Sequence, residues 1–315
     1  MRRRRVGSSG LEVSRVGLST VTWGDTTHVT AATAQLRLFV EAGGTLVETS
    51  DGYSDGAAQS VLGNVMSDSV SRSRLVIAAR ASLPGGPLGD GAARGALLAG
   101  LDATLDRLGT DHVDLWQLPG WDPDVPVDET LSAVQIAVLS GRARYAGLVA
   151  PTGWQLATAA ERGRTLGPVA VPVAAQVEYS LLARQADAEL LPAARHHGVG
   201  VLARSPLGRG VLTGTRAVPT GSRATSASLS PWVETRRTES SGRIGLAVRT
   251  AADGLGTSPL AVALAWVRDA PGVASAVVGA RDATQLAVSL ASEQITLPPE
   301  IRSALDDVSA VPALV

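Results

Sequence analysis

The stretch Leu46-Val47-Glu48-Thr49-Ser50-Asp51-Gly52-Tyr53 sets an apolar lead-in against a carboxylate, a polar turn and a phenol. Tyr53 is one of only three tyrosines, and Gly52, Ser54, Asp55 and Gly56 around it are turn residues rather than core residues. A strand that ends in an acid and hands over to a loop phenol is how a parallel barrel presents polar groups at the C-terminal mouth of its sheet. The stretch therefore reads as a strand and the turn that follows it, and the same unit recurs along the chain.

Working outward, short apolar strands are expected at 18–22, 45–47, 75–79, 112–118, 143–149, 171–176, 200–203 and 274–279. Helical patterns follow at 31–42, 57–67, 91–108, 128–140, 152–163, 186–197 and 282–291, with a further C-terminal helix near 298–309. Strands alternating with helices predict a parallel sheet with crossover helices. Eight such units in 315 residues predict a closed (β/α)8 barrel, a TIM barrel, with extra C-terminal helices. Residues 5–18 read as an N-terminal β-hairpin turning at Ser8-Ser9-Gly10. The whole chain, 1–315, reads as one domain, with 1–5 a frayed, solvated terminus and 209–240 a long loop. No GxGxxG or GxxxxGK[ST] pattern follows the early strands, which removes the usual evidence for a Rossmann or P-loop site.

The totals narrow the function classes. Hydrophobic residues make up 45% of the chain, ample for a buried core. A formal charge of -1 gives no electrostatic reason to expect nucleic acid or an anionic membrane. There is no cysteine, so disulfides and thiolate chemistry are excluded, and no lysine, so no Schiff base can form. No apolar run follows Met1 to Arg5, and none elsewhere is long enough to span a bilayer, so a cytoplasmic protein is expected.

Several stretches together resemble the aldo-keto reductase superfamily over nearly the whole length. They are SSGLEVSRVGLSTVTWGD (8–25), LVETSDGYSDGAAQSVLG (46–63) and LDATLDRLGTDHVDLWQLPGWDP (101–123). AAQVEYSLLAR (174–184), GVGVLARSPLGRGVLTG (198–214) and VVGARDATQL (277–286) complete the match. The resemblance implies NADPH-dependent reduction of aldehydes and ketones on a barrel. It also implies a tyrosine proton donor, a lysine that lowers its pKa, an aspartate that orients the lysine, and a histidine at the substrate oxygen.

Mapped onto this chain, the tyrosine is Tyr53, the aspartate position holds Glu48, the lysine position Arg80 and the histidine position Pro119. Glu48 and Arg80 keep their charge signs, and Arg80 is expected to lower the pKa of Tyr53, whose ordinary value is about 10. Arginine is nonetheless a wide, permanently charged fork, and proline offers no donor at all. On the cofactor side the resemblance assigns Gln176 to the nicotinamide carboxamide, with Val149-Ala150 where the family has a Ser-Asn pair. Arg204 replaces the stacking aromatic residue. Ser205, Leu207, Arg209, Gly210, Gly279, Arg281 and Gln285 keep the register of the phosphate-side residues. None of the four histidines falls on a catalytic position, and His112 is expected at the wrong end of its strand.

Three readings stay open on these residues. One is an NADPH-dependent oxidoreductase whose carbonyl reduction is weakened by the changed positions. A second is a pseudoenzyme, a binding or regulatory barrel with a protein partner. The third is a lyase-like or epimerase-like reaction on an anionic small molecule, with Glu48 as base and Arg80 or Arg204 as an anion clamp. No metal is implied by any of them.

Overall fold

The computed structural model describes residues 1–82, 91–213 and 238–310. Strands β1 (Arg3–Arg5) and β2 (Glu12–Ser14) form an antiparallel hairpin. Eight further strands follow: β3 (Val16–Ser19), β4 (Leu46–Ser50), β5 (Val76–Arg80), β6 (Val113–Leu118), β7 (Ala143–Val149), β8 (Ala174–Glu178), β9 (Gly200–Arg204) and β10 (Val273–Gly279). They pair in chain order, all parallel, and β10 returns to β3 to close the barrel. This is the expected (β/α)8 architecture with its N-terminal hairpin.

The pleat sorts each strand's side chains. Val47, Ile77, Ala79 and Trp116 face outward into the main apolar core under the helices. Leu46, Ala78, Leu115, Ala174 and Leu202 face inward and meet Val6, Leu11 and Val13 of the hairpin, which plugs the N-terminal end. Two residues further along the same strands stand Glu48, Arg80, Gln117, Gln176 and Arg204. Period-two alternation therefore turns one polar residue per strand into the mouth directly above the apolar plug.

The helices on the outside are α1 (Val29–Glu41), α2 (Ala57–Asp68), α3 (Arg94–Leu108), α4 (Val127–Leu139), α5 (Gly153–Leu166) and α6 (Leu190–His197). Between β9 and β10 lie α7 (Glu239–Gly254) and α8 (Pro259–Arg268), then α9 (Ala283–Ala291) and α10 (Pro299–Ser309) complete the chain. Several ends are set by local chemistry. Thr152 and Gln155 form a reciprocal capping box at α5, and Ser258 caps α8 ahead of Pro259.

The structure corrects three expectations. Residues 1–5 are not a frayed terminus. Arg3–Arg5 is β1, and Arg4 donates to the carbonyl oxygens of Arg268 and Val273 at 2.5 and 3.0 Å. The first barrel strand begins at Val16 rather than at 18, because the hairpin leads straight into it. The expected 171–176 strand starts later, at Ala174, because the chain makes a 3-10 turn at Pro168–Ala170 first. Helices α7 and α8 were not anticipated. Of the expected loop 209–240, residues 209–213 lie in a tight 3-10 turn, Gly208–Thr213, and α7 begins at Glu239. Its remainder, 214–237, lies outside the described residues.

Candidate active site

Glu48 lies near the end of β4 and is 1% exposed. Tyr53 follows in a 3-10 turn, Tyr53–Gly56, that is bent by left-handed Ser54 and Asp55, at φ 49 and 52. The Ser54 hydroxyl holds the turn by donating to the Trp23 carbonyl at 3.2 Å. Arg80 ends β5, in register with Ser50 of β4. Ser19 ends β3, in register with Glu48. Four side chains from three neighbouring strand ends thus converge.

Tyr53 Oη donates to Glu48 Oε1 at 2.9 Å. Arg80 Nη1 donates to Tyr53 Oη at 2.9 Å and reaches Glu48 Oε1 at 3.5 Å. The second carboxylate oxygen, Oε2, accepts from Ser19 Oγ at 2.5 Å. A carboxylate this deeply buried must be compensated, and here a cation and two hydroxyls do so.

Arg80 lowers the phenol's pKa as expected, but the net shift is upward. Burial pushes Tyr53 well above an ordinary tyrosine, and the Glu48 charge pushes it further. Arg80 does pull it down, as does the Ser19 hydroxyl, but neither outweighs burial and the carboxylate. The reason is geometric. The longer Glu48 side chain reaches the phenol itself, so the acidic proton faces a carboxylate.

These residues line one cavity of about 330 Å³ at the barrel mouth. Glu48, Tyr53 and Arg80 form one wall, with Ser19. Arg204, Ser205, Leu207, Arg209 and Gly210 form another, and Gly279, Arg281 and Gln285 the third. The second wall is a strained turn, with Ser205, Arg209 and Gly210 all left-handed at φ 53, 54 and 100. The third enters α9, where the Arg281 N–H donates to Gln285 Oε1 at 2.9 Å and the Gln285 N–H to Asp282 at 2.8 Å.

Gln176 is the candidate that does not line this cavity. It is fully buried on β8, and both its amide atoms lack partners. Pro119 lies away from Tyr53, lining a neighbouring apolar pocket with Trp121 and Leu148. Ala150 sits at φ 49, a left-handed position that asparagine adopts far more easily than alanine. His112 sits just before β6 and bonds Asp111 at 2.6 Å, while His196 and His197 pack edge to face in the last turn of α6.

Sequence reasoning missed three residues. Ser19 could have been found by pairing the first two barrel strands, which brings it beside Glu48. Gln117, in register with Arg80 on β6, is fully buried with both amide atoms unpartnered. Glu178 stands 4.0 Å from Arg204 and 3.9 Å from Arg209, with its Oε1 unpaired. Among the described residues, no three His, Cys, Asp or Glu side chains converge as metal ligands, and no helix is long and apolar enough to cross a membrane.

Comparison with known proteins fits this geometry. The family model for the aldo/keto reductase family matches residues 15–310. The chain belongs to the aldo/keto reductase family. It is 32% identical to an uncharacterized oxidoreductase, YrpG, of Bacillus subtilis over 317 residues, covering 96% of this chain and 94% of the relative. It is 30% identical to a probable voltage-gated potassium channel subunit beta of Oryza sativa, covering 99% of this chain and 96% of that one. A counterpart of the same description in Arabidopsis thaliana is 29% identical, covering 91% and 89%. The matched residues include all eight barrel strands.

Proposed function

We propose that the chain is an NADPH-linked oxidoreductase of aldehydes or ketones in which proton donation is attenuated. The observation that carries this is the 2.9 Å bond between Arg80 Nη1 and Tyr53 Oη, on the wall of the same cavity that Ser205, Arg209, Gly279 and Arg281 line. A phenol, a cation and a phosphate-sized cradle share one space.

The residues fit the cofactor unevenly. The left-handed turn 205–210 and the start of α9 present backbone amides and arginines suited to phosphates. Leaving a buried polar group unpaired costs about 1–3 kcal/mol. Both amide atoms of Gln176 are in that state, but the residue is fully buried off the cavity wall and adds nothing to the cofactor fit. Leu148, Val149 and Ala150 offer the cofactor no polar side chain. NADPH supplies a hydride when bound. The chain's own part is to hold the carbonyl oxygen near Tyr53 and to deliver a proton from it.

That delivery is where activity is reduced. A raised phenol pKa makes Tyr53 a weaker acid, and no histidine lies beside it. General acid help is worth about 10² to 10⁴ in rate, so reduction slower than usual for the fold by a comparable factor is expected. The test is NADPH binding followed by NADPH oxidation with reactive aldehydes, with Tyr53→Phe alongside. Binding in the micromolar range and turnover that falls about 10²-fold in Tyr53→Phe support the reading. Full activity in Tyr53→Phe removes Tyr53 from the mechanism.

A second reading has its own observation. The Tyr53 proton is directed into Glu48 rather than into the cavity, an arrangement suited to a barrel that binds cofactor without turning over. The relatives described as potassium channel beta subunits fit that reading. Tight NADPH binding with no turnover of any aldehyde would select it.

A further inference from the structure

Tyr53 heads a turn that its own residues do not favour. Ser54, Asp55 and Gly56 are consecutive left-handed residues, at φ 49, 52 and 86. Side-chain-bearing residues stay in that region only where their surroundings fix them. One support is the Ser54 hydroxyl, which donates to the Trp23 carbonyl at 3.2 Å. A second comes from the other side of the turn, from α3.

Gly56, Gln59 and Gly63 fall at i, i+3 and i+7, one stripe along the start of α2. That stripe lies on Arg107. A Cβ at Gly63 would sit 2.8 Å from the carbonyl oxygens of Arg107 and Leu108, so the end of α3 passes directly against α2 there. The Arg107 side chain then runs back toward the N-terminus of its helix, as long helical side chains do. Its Nε donates to Gln59 Oε1 at 2.7 Å. Its Nη2 and the Gln59 amide both reach the Thr104 hydroxyl, at 3.4 Å. Gln59 and Thr104 are buried, so this set has fixed surroundings. A Cβ at Gly56 would sit 2.9 Å from Arg107 Cδ and Nε, which places the arginine stem across the last residue of the turn. Arg107 does not line the cavity.

We propose that Arg107 is a positioning residue for Tyr53: bonded to Gln59 and laid across Gly56, it clamps the left-handed turn and so keeps the phenol on Glu48 and Arg80. It acts through the turn and touches the phenol nowhere. Only its effect on turnover rests on the oxidoreductase reading; its effect on the phenol does not.

The test is the phenol titration of Arg107→Met, which keeps a long stem and removes the bond to Gln59. Absorbance near 295 nm is read after a rapid pH jump, before unfolding exposes other tyrosines. Burial and Glu48 hold the Tyr53 pKa up in the parent. A released turn takes the phenol from both, so its ionisation should move down by about one pH unit or more, toward the ordinary value of about 10. The moved step should be absent from Arg107→Met with Tyr53→Phe. Arg142→Met, which breaks the surface pair with Asp102 on α3, is the control and should titrate like the parent. A lower melting temperature with the parent's titration assigns Arg107 a structural role only and overturns the proposal. So does a shift that survives Tyr53→Phe, or one that the control shares. If Arg107→Met does not fold, Gln59→Leu removes the same bond and is judged by the same outcomes. NADPH oxidation is followed in parallel. A loss of up to about 10²-fold in Arg107→Met that vanishes in the Tyr53→Phe background extends the clamp to catalysis. No turnover in the parent rejects the oxidoreductase reading and leaves the titration to judge Arg107.

Discussion

Tyr53 donates its hydroxyl hydrogen bond to Glu48, 2.9 Å away, and the carboxylate adds to the burial that weakens the phenol as an acid. Burial and the carboxylate both raise the phenol's pKa, and Arg80 opposes them. Removing the Glu48 charge leaves burial opposed by Arg80 and Ser19, so the phenol pKa should fall from its value in the parent. In Glu48→Gln, tyrosine absorbance near 295 nm should show the Tyr53 phenol ionising at lower pH than in the parent. The same variant should shift the alkaline limb of any pH–rate profile to lower pH. An unchanged titration curve would mean that Glu48 does not control Tyr53.

The same shift has a stability consequence with a definite sign. Tyr53 binds its proton more tightly folded than unfolded, so its contribution is intact below the ordinary phenol pKa of about 10. It is lost as pH rises above that value, because the unfolded chain ionises first. Tyr179, raised by burial and by Asp187, adds in the same direction. The melting temperature should therefore fall as pH rises from about 10 to 11, and more shallowly in Tyr53→Phe and Tyr179→Phe. Equal slopes in all three proteins would contradict the assignment.

Ser19 acts through Glu48. Its 2.5 Å bond occupies Oε2 and leaves Oε1 for Tyr53 and Arg80. Ser19→Ala should strand a buried carboxylate oxygen, at a cost of about 1–3 kcal/mol. It should also raise the Tyr53 pKa further, since the hydroxyl lowers it in the parent. A merely structural role would reduce the melting temperature and leave the phenol titration in place. A positioning role moves both, and Ser19→Thr, which keeps the hydroxyl, should restore the titration.

How legible each feature was follows from the distance between cause and effect along the chain. The barrel was readable because each strand and helix carries its own local period, and the turn around Tyr53 because its residues are consecutive. Helix α8 was not, because every residue from Leu260 to Arg268 is buried, so no polar face marks a helical period. Its signal was the Ser258-Pro259 start. The Arg2–Arg5 run read as a solvated tail because the partners of Arg4 lie more than 260 residues away. Glu48, Tyr53 and Arg80 came from short motifs. Ser19 did not, since its partner is 29 residues off and on another strand. The sign of the Tyr53 shift depends on which atom receives one proton, and no sequence pattern encodes that.

The hairpin plug rests on one close approach. Gly7 is left-handed at φ 58, and a Cβ there would sit 2.1 Å from the Gly198 carbonyl oxygen and 2.6 Å from the Gly200 amide nitrogen. Both contacts are backbone, which cannot swing aside. The Ser8 N–H bond to Gly198, 2.8 Å, would be lost with the approach. Gly7→Ala should destabilise the protein by about 2 kcal/mol or more. Gly100→Ala, in α3 with open space at its Cβ, is the control and should be neutral or stabilising by about 0.5–1 kcal/mol. Equal melting temperatures for Gly7→Ala and the parent would show that the hairpin does not seat as described.

Under that hairpin, Asp269 is shared by three arginines: Arg4 at 2.9 Å, Arg15 at 3.2 Å and the neighbouring Arg268. Burial alone would raise its carboxyl pKa, but the Arg268 hydrogen bond and the three charges outweigh burial and hold it below the usual range. A depressed carboxylate contributes stability above its unfolded pKa of about 3.9 and loses it as pH falls through the folded value. Asp269→Asn leaves Arg4, Arg15 and Arg268 facing each other, with Glu293 the remaining carboxylate paired to them among the described residues, so it should cost about 1–3 kcal/mol at neutral pH. The gap in melting temperature between parent and variant should be widest near pH 7 and should narrow below about pH 4, where the parent's own carboxylate begins to protonate. Melting curves taken across pH 3 to 7 decide it. A gap of constant width would mean that Asp269 supports the hairpin by its shape and hydrogen bonds and not by its charge.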